Sequence, residues 1–312
     1  MKSLISIDDI DAAEATAILD ETQGFAALMK RKVKKAPALR GRTVINMFFE
    51  SSIRTRSSFE IAGKWLSADV INFSASGSSV SKGESVLETA RTLQAMAPDC
   101  VVVRHQRSGV PLQLARELGL SIINAGDGTN EHPTQALLDA YSVRQRLGRL
   151  EGLTVAIVGD IVRSRVARSG TKLFRKLGAK VRWVGPQTLL PPPGVDADIV
   201  RYNRLPEGIA DADVVMMLRI QHERGGSAAP FITNTDDYSR AWGLSPRKLE
   251  QYAPRAVVMH PGPANVGVEI SRELIDHPAS LISDQVSAGV AIRMALLYRC
   301  IEGAGAALPP EA

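Results

Sequence analysis

The sequence predicts an α/β protein of two domains, each an open parallel sheet of four or more strands flanked by helices. Three observations support this class. The chain has 312 residues, which is enough for two domains of ordinary size. Short apolar runs rich in β-branched residues recur along it, and most are continuous, as is typical of strands covered on both faces. Helix-like stretches separate these runs, and this alternation indicates βαβ units.

The elements follow in chain order. Strands are predicted over residues 43–49, 68–74, 100–105, 120–126, 154–160, 180–185, 213–218 and 256–261. Helices are predicted over residues 57–66, 84–97, 110–118, 133–149, 163–178 and 285–301. The helix 133–149 separates two groups of four strands, so the domain boundary is placed within it. The last helix has an apolar stripe that can return to the first half. We therefore expect one domain of residues 1–138 joined by 285–312, and a second of residues 139–284.

Composition argues against several classes of protein. The chain is 45% hydrophobic and 23% charged, as in ordinary globular proteins. Its N-terminus, MKSLISIDDIDAAEAT, acquires acidic residues early and does not resemble a signal peptide. No run approaches the ~20 apolar residues of a membrane span. Cys100 and Cys300 form no CxxC pair. These features predict a cytoplasmic protein without a membrane partner.

The net charge of +5 is concentrated in KRKVKKAPALRGR, residues 30–42. A nucleic-acid patch carries this kind of charge. The segment has no interleaved aromatic residues, however, and the whole chain is only 5% aromatic. A solvated basic face is the preferred interpretation, and anionic small substrates are a further source of the basic balance. No nucleic-acid partner is expected.

The residues that follow the predicted strands indicate where the site lies. Ligands of open parallel sheets bind beyond the carboxyl ends of the strands. These ends are rich in arginine, histidine, glycine and hydroxyl side chains, in the stretches SSIRTR, VRH, GDGTNEHPTQ, GDIVRSRVARS, RIQHERGG and HPGPANVG. This clustering predicts an active site in the cleft between the two domains.

The stretch SSIRTR, residues 51–56, is typical of an anion site at a helix N-terminus. A serine can cap the helix, whose free N–H groups and dipole favour phosphate. Ser52 and Thr55 add hydroxyl groups, and Arg54 adds a guanidinium fork. The alternative is a serine-rich cap beside two surface arginines. The chain has no GxxxxGK[ST] or GxGxxG motif, so a small phosphate metabolite is a better ligand than a nucleotide.

The stretch EHPTQALLDAY places a histidine where a second helix begins. Pro133 suits the first helical position, so His132 would cap the helix and Gln135 would lie near it. A capping histidine close to arginines should have a lowered pKa. Neutral His132 could then donate a hydrogen bond to a carbonyl oxygen. The alternative is a purely structural cap.

Two further groups of polar residues are candidates for ligand contacts. The loop SASGSSVSKGES, residues 74–85, could close Lys82 over an anionic ligand, or it could be a plain linker. Arg165, Arg219 and Gln221 follow strands of the second half. Two arginines in such places can clamp carboxylates, although surface salt bridges are an equal alternative.

The sequence contains no recognisable metal or nucleophile motif. Its five histidines are scattered without HxxxH or Cys/His spacing, and GxSxG is absent. We expect no metal and no cofactor. The predicted site positions and polarises its ligands and forms no covalent intermediate.

The motifs together resemble those of aspartate carbamoyltransferase catalytic chains. FFESSIRTR, SKGES, VRH, NAGDGTNEHPTQALLD, GDIVRSRVARS, RIQHER and MHPGP occur in the same order and spacing from about residue 4 to 300. The SSIRTR loop and HPTQ are shared across the aspartate/ornithine superfamily. The motif RxQxER points to aspartate as the acceptor. So does HPGP, because ornithine enzymes carry a cysteine-containing HCLP at this place. The resemblance implies carbamoyl transfer from carbamoyl phosphate to L-aspartate, an early step of pyrimidine synthesis. A transcarbamoylase for another amine and an inactive scaffolding or regulatory homologue are the alternatives.

The resemblance also implies roles for individual residues. The phosphate would contact Ser52, Ile53, Arg54 and Thr55. The carbamoyl oxygen would be polarised by Thr55, Arg104 and His132, and the carbamoyl NH2 held by Gln135 with the backbone of Pro261, Gly262 and Pro263. Aspartate would contact Lys82, Arg165, Arg219 and Gln221. The catalytic residues would be Arg54, Thr55, Lys82, Arg104 and His132.

The implied assembly is a homotrimer in which Ser78 and Lys82 enter the site of a neighbouring subunit. Partners in this family include regulatory and dihydroorotase-like chains. At residue 53 the sequence departs from the family, which usually has threonine where this chain has Ile53.

Overall fold

The computed structural model describes residues 1–74, 85–220 and 234–303. The chain divides into two compact units. The first consists of Met1–Leu138 with the described residues from Val286 onward, and the second is Asp139–Gln285. Within the described ranges, no helix has both the length and the apolar character needed to cross a membrane.

The first unit contains a parallel sheet of four strands in the order β2-β1-β3-β4. The strands are β1 (Thr43–Phe48), β2 (Asp69–Ser74), β3 (Cys100–His105) and β4 (Ile122–Asp127). Its helices are α1 (Ala12–Leu28), α2 (Ile53–Trp65), α3 (Val86–Gln94), α4 (Val110–Leu118) and the start of α5 (Pro133–Leu147). Every residue of β3 and β4 is buried, as expected for strands covered on both faces.

The second unit contains a parallel sheet of five strands in the order β7-β6-β5-β8-β9. The strands are β5 (Thr154–Val158), β6 (Lys180–Val184), β7 (Val200–Tyr202), β8 (Val214–Met217) and β9 (Val257–Met259). Its helices are α6 (Arg165–Lys176), α7 (Leu205–Ile209), α8 (Thr235–Trp242), α9 (Pro246–Tyr252) and α10 (Arg272–Ile275). The last helix, α11 (Ile282–Glu302), begins in this unit and continues in the first.

Both sheets reverse their strand order at their first strand. β1 lies between β2 and β3, and β5 lies between β6 and β8. In the first sheet, the chain leaves β1 toward β2 on one side and leaves β3 toward β4 on the other. In the second sheet, β5 and β8 are related in the same way, through β6 and β9. Where adjacent strands connect in opposite directions, a crevice opens at the carboxyl edge of the sheet. The loops after β1 and β5 are therefore the first places to look for ligands.

The predicted fold class is confirmed. The eight predicted strands are present, with ends that differ by at most two residues from those expected. The eight predicted strands divide four and four between the two sheets, as expected, and β7 is a fifth strand of the second sheet that was not predicted. The first predicted helix begins at Ile53, four residues earlier than expected, since Ser52 caps it. Helices α1 and α7 to α10 were not predicted.

Candidate active site

The loop after β1 ends at the N-terminus of α2. Ser52 has an extended backbone, and its Oγ accepts a hydrogen bond from the Thr55 N–H at 3.4 Å. This confirms the predicted serine cap and identifies Ser52 as the capping residue. The first turn contains no acidic side chain, so nothing in it neutralises the positive end of the helix dipole.

The side chains of this turn point in different directions. Ile53 is 76% exposed, although it is apolar. Arg54 is exposed and Thr55 is buried. The Ile53 side chain is therefore not packed into the loop, and its backbone N–H remains one of the first-turn donors.

Arg104 lies beside this loop at the carboxyl end of β3. It is the register partner of Phe48 on β1, and its carbonyl oxygen accepts the Phe49 N–H at 2.9 Å. Its buried guanidinium donates to the Ala125 carbonyl at 3.1 Å and to Glu50 Oε1 at 2.7 Å. These two bonds fix the direction of the guanidinium.

Two residues of this region were not predicted as site residues. Glu50 follows β1 by two positions. An acidic residue at the end of a strand was the feature of the sequence from which Glu50 could have been predicted. His105 packs against Phe49 with 5.0 Å between ring centroids. Burial lowers the pKa of His105 below its ordinary value, and the nearby Arg107 guanidinium lowers it further. His105 therefore does not add positive charge at neutral pH.

His132 precedes α5 at the carboxyl edge of the same sheet. Its carbonyl oxygen accepts the Ala136 N–H at 3.2 Å, so it occupies the predicted cap position. His132 and Gln135 are both buried. The preceding loop is held by Asp127, whose carboxylate accepts the Gly109 N–H at 2.7 Å and the Glu131 N–H at 3.0 Å. Asp127 was missed because its partners come from two different loops.

In the second unit, the loop after β5 again ends at a capped helix. Ser164 Oγ accepts the Ala167 N–H at 3.1 Å, and Arg165 is the first residue of α6. Arg165 is buried. Asp160, which has no solvent exposure, accepts the Arg163 Nε–H at 2.8 Å. This ion pair lies within the loop itself.

Arg219 follows β8, the strand that pairs with β5. It follows β8 by two residues, and the register pairs Val158 of β5 with Met217 of β8. The Leu218 N–H also donates to the Val158 carbonyl at 2.8 Å. The two predicted arginines, Arg165 and Arg219, thus follow adjacent strands at one edge.

The loop after β9 carries Pro261, Gly262 and Pro263. Pro261 and Gly262 are half-buried, Pro263 is exposed, and the Gly262–Pro263 peptide bond is cis. The loop is anchored by His260, which is buried and accepts the Gly262 N–H on Nδ1 at 2.8 Å. The remaining predicted residues, Ser78, Lys82 and Gln221, lie outside the described residues.

Within the described ranges, no cluster of three or more histidine, cysteine, aspartate or glutamate side chains could hold a metal ion. Cys100 and Cys300 are both buried thiols. Burial raises the pKa of the Cys100 thiol well above its ordinary value. A buried thiol with a raised pKa is a poor nucleophile.

Comparison with known proteins places these features in a family. Residues 2–145 match the carbamoyl-P binding domain of the aspartate/ornithine carbamoyltransferases, and residues 151–300 match their Asp/Orn binding domain. The aspartate carbamoyltransferase catalytic subunit of Sorangium cellulosum is 52% identical over 297 residues, which cover 95% of this chain and 92% of that one. The catalytic subunit of Salinispora arenicola is 53% identical over 307 residues, covering 97% and 99%.

Solved structures agree with this match. The aspartate transcarbamoylase of Trypanosoma cruzi in complex with N-(phosphonacetyl)-L-aspartic acid has a TM-score of 0.85 at 30% identity, covering 95% of each chain. The catalytic subunit of the M. jannaschii aspartate transcarbamoylase has a TM-score of 0.84 at 32% identity, covering 97% of this chain and 99% of that one.

Proposed function

The chain belongs to the aspartate/ornithine carbamoyltransferase family, and we propose how its own residues perform the reaction. It transfers the carbamoyl group of carbamoyl phosphate to the amino group of L-aspartate, giving N-carbamoyl-L-aspartate and phosphate. The match to aspartate carbamoyltransferase catalytic subunits at 52–53% identity, over at least 95% of the chain, carries this assignment. The motifs RIQHER and HPGP favour aspartate over another amine.

The N-terminus of α2 is the proposed phosphate site. Ser52 and Thr55 supply hydroxyl groups, and the first-turn N–H groups supply backbone donors. The side chain of Arg54 is exposed, so it can contact a solvent-accessible oxygen of the phosphate. Ile53 contributes its backbone N–H alone, because its side chain points to solvent.

The carbamoyl oxygen is polarised by Thr55, Arg104 and His132. Negative charge develops on this oxygen when the amine attacks, and donors already fixed in place stabilise it most. Arg104 meets this condition, since the Ala125 carbonyl and Glu50 hold its guanidinium. Gln135 and the backbone of Pro261–Pro263 hold the carbamoyl NH2 group.

Aspartate binds through Arg165, Arg219 and Gln221, with Lys82 as a further cation. The two arginines follow adjacent strands, so each can take one carboxylate of the substrate. The neutral amine attacks the planar carbonyl carbon and gives an oxyanion. The bond from carbon to the phosphate oxygen then breaks, and the departing phosphate takes the proton of the amine.

The proposed active form is a homotrimer, in which Ser78 and Lys82 complete the site of a neighbouring copy. Apolar side chains exposed along α2 and β2 support it: Ile53 is 76% exposed, Ile61 37% and Ile71 49%. β2 is also one of the two edge strands of the described sheet. Light scattering should give three times the chain mass of 33.6 kDa. Co-purification would show whether regulatory or dihydroorotase-like chains join it.

The reaction is tested by an acceptor assay. Purified protein with carbamoyl phosphate should release phosphate when aspartate is added, and should not respond to ornithine or putrescine. A response to ornithine or putrescine alone would establish a different transcarbamoylase. No release above background with any acceptor would favour the inactive homologue.

A further inference from the structure

We propose that Glu269 is a positioning residue for this reaction. Its carboxylate holds the loop Pro261–Pro263 in the shape that receives the carbamoyl NH2 group, and it ties this loop to the strand end that carries Arg219. The inference rests on the proposed function, because that function assigns the loop its ligand.

The first contact of Glu269 is with His260, at the start of the loop. His260 Nδ1 accepts the Gly262 N–H at 2.8 Å, so the proton of the neutral ring lies on Nε2. That nitrogen is 3.2 Å from Glu269 Oε1. Both side chains are fully buried. The carboxylate therefore fixes the tautomer and orientation of the imidazole, and through Nδ1 it fixes the Gly262 peptide.

The second contact is at the other end of the loop. The Asn265 N–H donates to the same oxygen, Glu269 Oε1, at 2.5 Å. The two ends of the loop, at His260 and Asn265, therefore meet on one carboxylate oxygen. Such a clamp limits the positions open to the peptide groups between them. Those groups are the ones that the proposed function presents to the carbamoyl NH2.

A third contact extends the clamp toward the aspartate arginines. The Asn265 side-chain amide donates to the Ile220 carbonyl at 3.4 Å. Ile220 directly follows Arg219. A change at Glu269 that moves Asn265 should therefore disturb the backbone next to Arg219.

The position of Glu269 is itself fixed by its backbone. Its carbonyl accepts the Leu244 N–H at 3.0 Å, and Leu244 and Ile270 form an isolated parallel bridge. The other carboxylate oxygen, Oε2, has no hydrogen-bond partner in the part of the chain that the structure describes. Oε1 is thus the anchor, and an amide that keeps this oxygen should preserve the clamp.

The test compares four variants of the full-length protein. Glu269→Leu removes the anchoring oxygen, and Glu269→Gln keeps it. Asn265→Ala removes only the side-chain link to Ile220. His277→Asn is the matched control, because His277 Nδ1 also accepts an N–H two residues ahead, from Ala279 at 3.2 Å, in a half-buried turn of the same unit.

The measured quantities are the dissociation constants of carbamoyl phosphate, acetyl phosphate and inorganic phosphate, and the KM for aspartate. Acetyl phosphate replaces the NH2 group by a methyl group and cannot donate to the loop. We expect the wild-type protein to prefer carbamoyl phosphate over acetyl phosphate by about tenfold, as two modest hydrogen bonds would give. In Glu269→Leu this preference should fall toward one, with inorganic phosphate binding unchanged and the aspartate KM raised. Glu269→Gln and His277→Asn should keep the wild-type values.

Asn265→Ala should raise the aspartate KM and keep the preference for carbamoyl phosphate. If Glu269→Leu does not fold, the aspartate KM of Asn265→Ala tests the inference instead. An unchanged aspartate KM in Asn265→Ala, a preference retained in folded Glu269→Leu, or an equal loss of inorganic phosphate binding would overturn the inference. A wild-type protein that does not turn over carbamoyl phosphate would overturn the proposed function, a separate result.

Discussion

The two units have their proposed anion sites at the same place in two related sheets. In each unit the first strand lies at the switch point, and an acid follows it by two residues, Glu50 after β1 and Asp160 after β5. A serine then caps the next helix, Ser52 in the first unit and Ser164 in the second.

The side chains at these equivalent places differ in exposure and in pairing. Arg54 in the first unit is exposed, whereas Arg165 in the second is buried. Glu50 pairs with Arg104 on a neighbouring strand, and Asp160 pairs within its own loop with Arg163. The scaffold thus determines where each proposed anion site lies. The exposed helix end suits a strongly hydrated phosphate, and a buried guanidinium suits the directional grip on a carboxylate.

The largest expected effect is that of Arg54→Ala, which removes the exposed cation of the first site. Arg54 would stabilise the negative charge of the departing phosphate, and loss of one donor of this kind typically lowers kcat by roughly 10²–10³-fold. Stability should hardly change, because the side chain is exposed. The control is Lys64→Ala on the same helix, which removes only a surface ion pair with Glu60. Steady-state kinetics and urea unfolding measure both quantities, and an active Arg54→Ala would remove the phosphate assignment.

Arg219→Ala should act on the other substrate. Hydrogen bonds to charged groups contribute about 1.5–3 kcal/mol, so the aspartate KM should rise roughly 10–100-fold. The KM for carbamoyl phosphate should stay near its original value. Arg168→Ala, an exposed arginine of α6, serves as the control. A defect confined to carbamoyl phosphate would show that the two units do not divide the substrates as proposed.

Substitutions at two helix glycines, one in each unit, compare how closely α2 and α6 pack against their neighbours. A Cβ at Gly63 of α2 would lie 2.5 Å from Val70 Cγ2, whereas a Cβ at Gly170 of α6 would find its nearest neighbour at 4.0 Å. Gly63→Ala should therefore lower the free energy of unfolding by about 1–3 kcal/mol. Gly170→Ala should raise it by up to about 1 kcal/mol, since alanine favours the helix. Equal effects in urea unfolding would mean that α2 can move away from the sheet.

The smallest expected effect is that of Ile53→Thr. The side chain of Ile53 is 76% exposed, so its loss removes little packing. A threonine hydroxyl that reached the phosphate would add about 0.5–1.5 kcal/mol, and otherwise nothing would change. Titration with carbamoyl phosphate should show unchanged or tighter binding. Weaker binding would mean that Ile53 packs against a second copy of the chain near the site.

Local patterns predicted the fold, and distant partners explain most of what was missed. Continuous apolar runs identified eight strands, and the serine and proline signals placed both the α2 cap and His132. Glu50, Asp127 and Glu269 were missed because each has a partner on another strand or loop. β7 was missed because its three residues, VRY, are exposed or half-buried and include an arginine, so they form no continuous apolar run.

Helix α1 was missed although its signal was present. Asp11 caps it, and buried residues recur at helical spacing at Ala15, Ile18, Leu19, Thr22 and Phe25. The domain boundaries, the roles of the site residues and the position of the site in a cleft stay predictions.

We propose that phosphate binds at the N-terminus of α2 and does not bind in the second unit. Titration with inorganic phosphate, followed by ³¹P NMR line broadening, tests it in the wild type, Arg54→Ala and Arg219→Ala. We expect saturable binding in the wild type and in Arg219→Ala, and its loss in Arg54→Ala. Binding retained in Arg54→Ala, or lost equally in both variants, would contradict the claim.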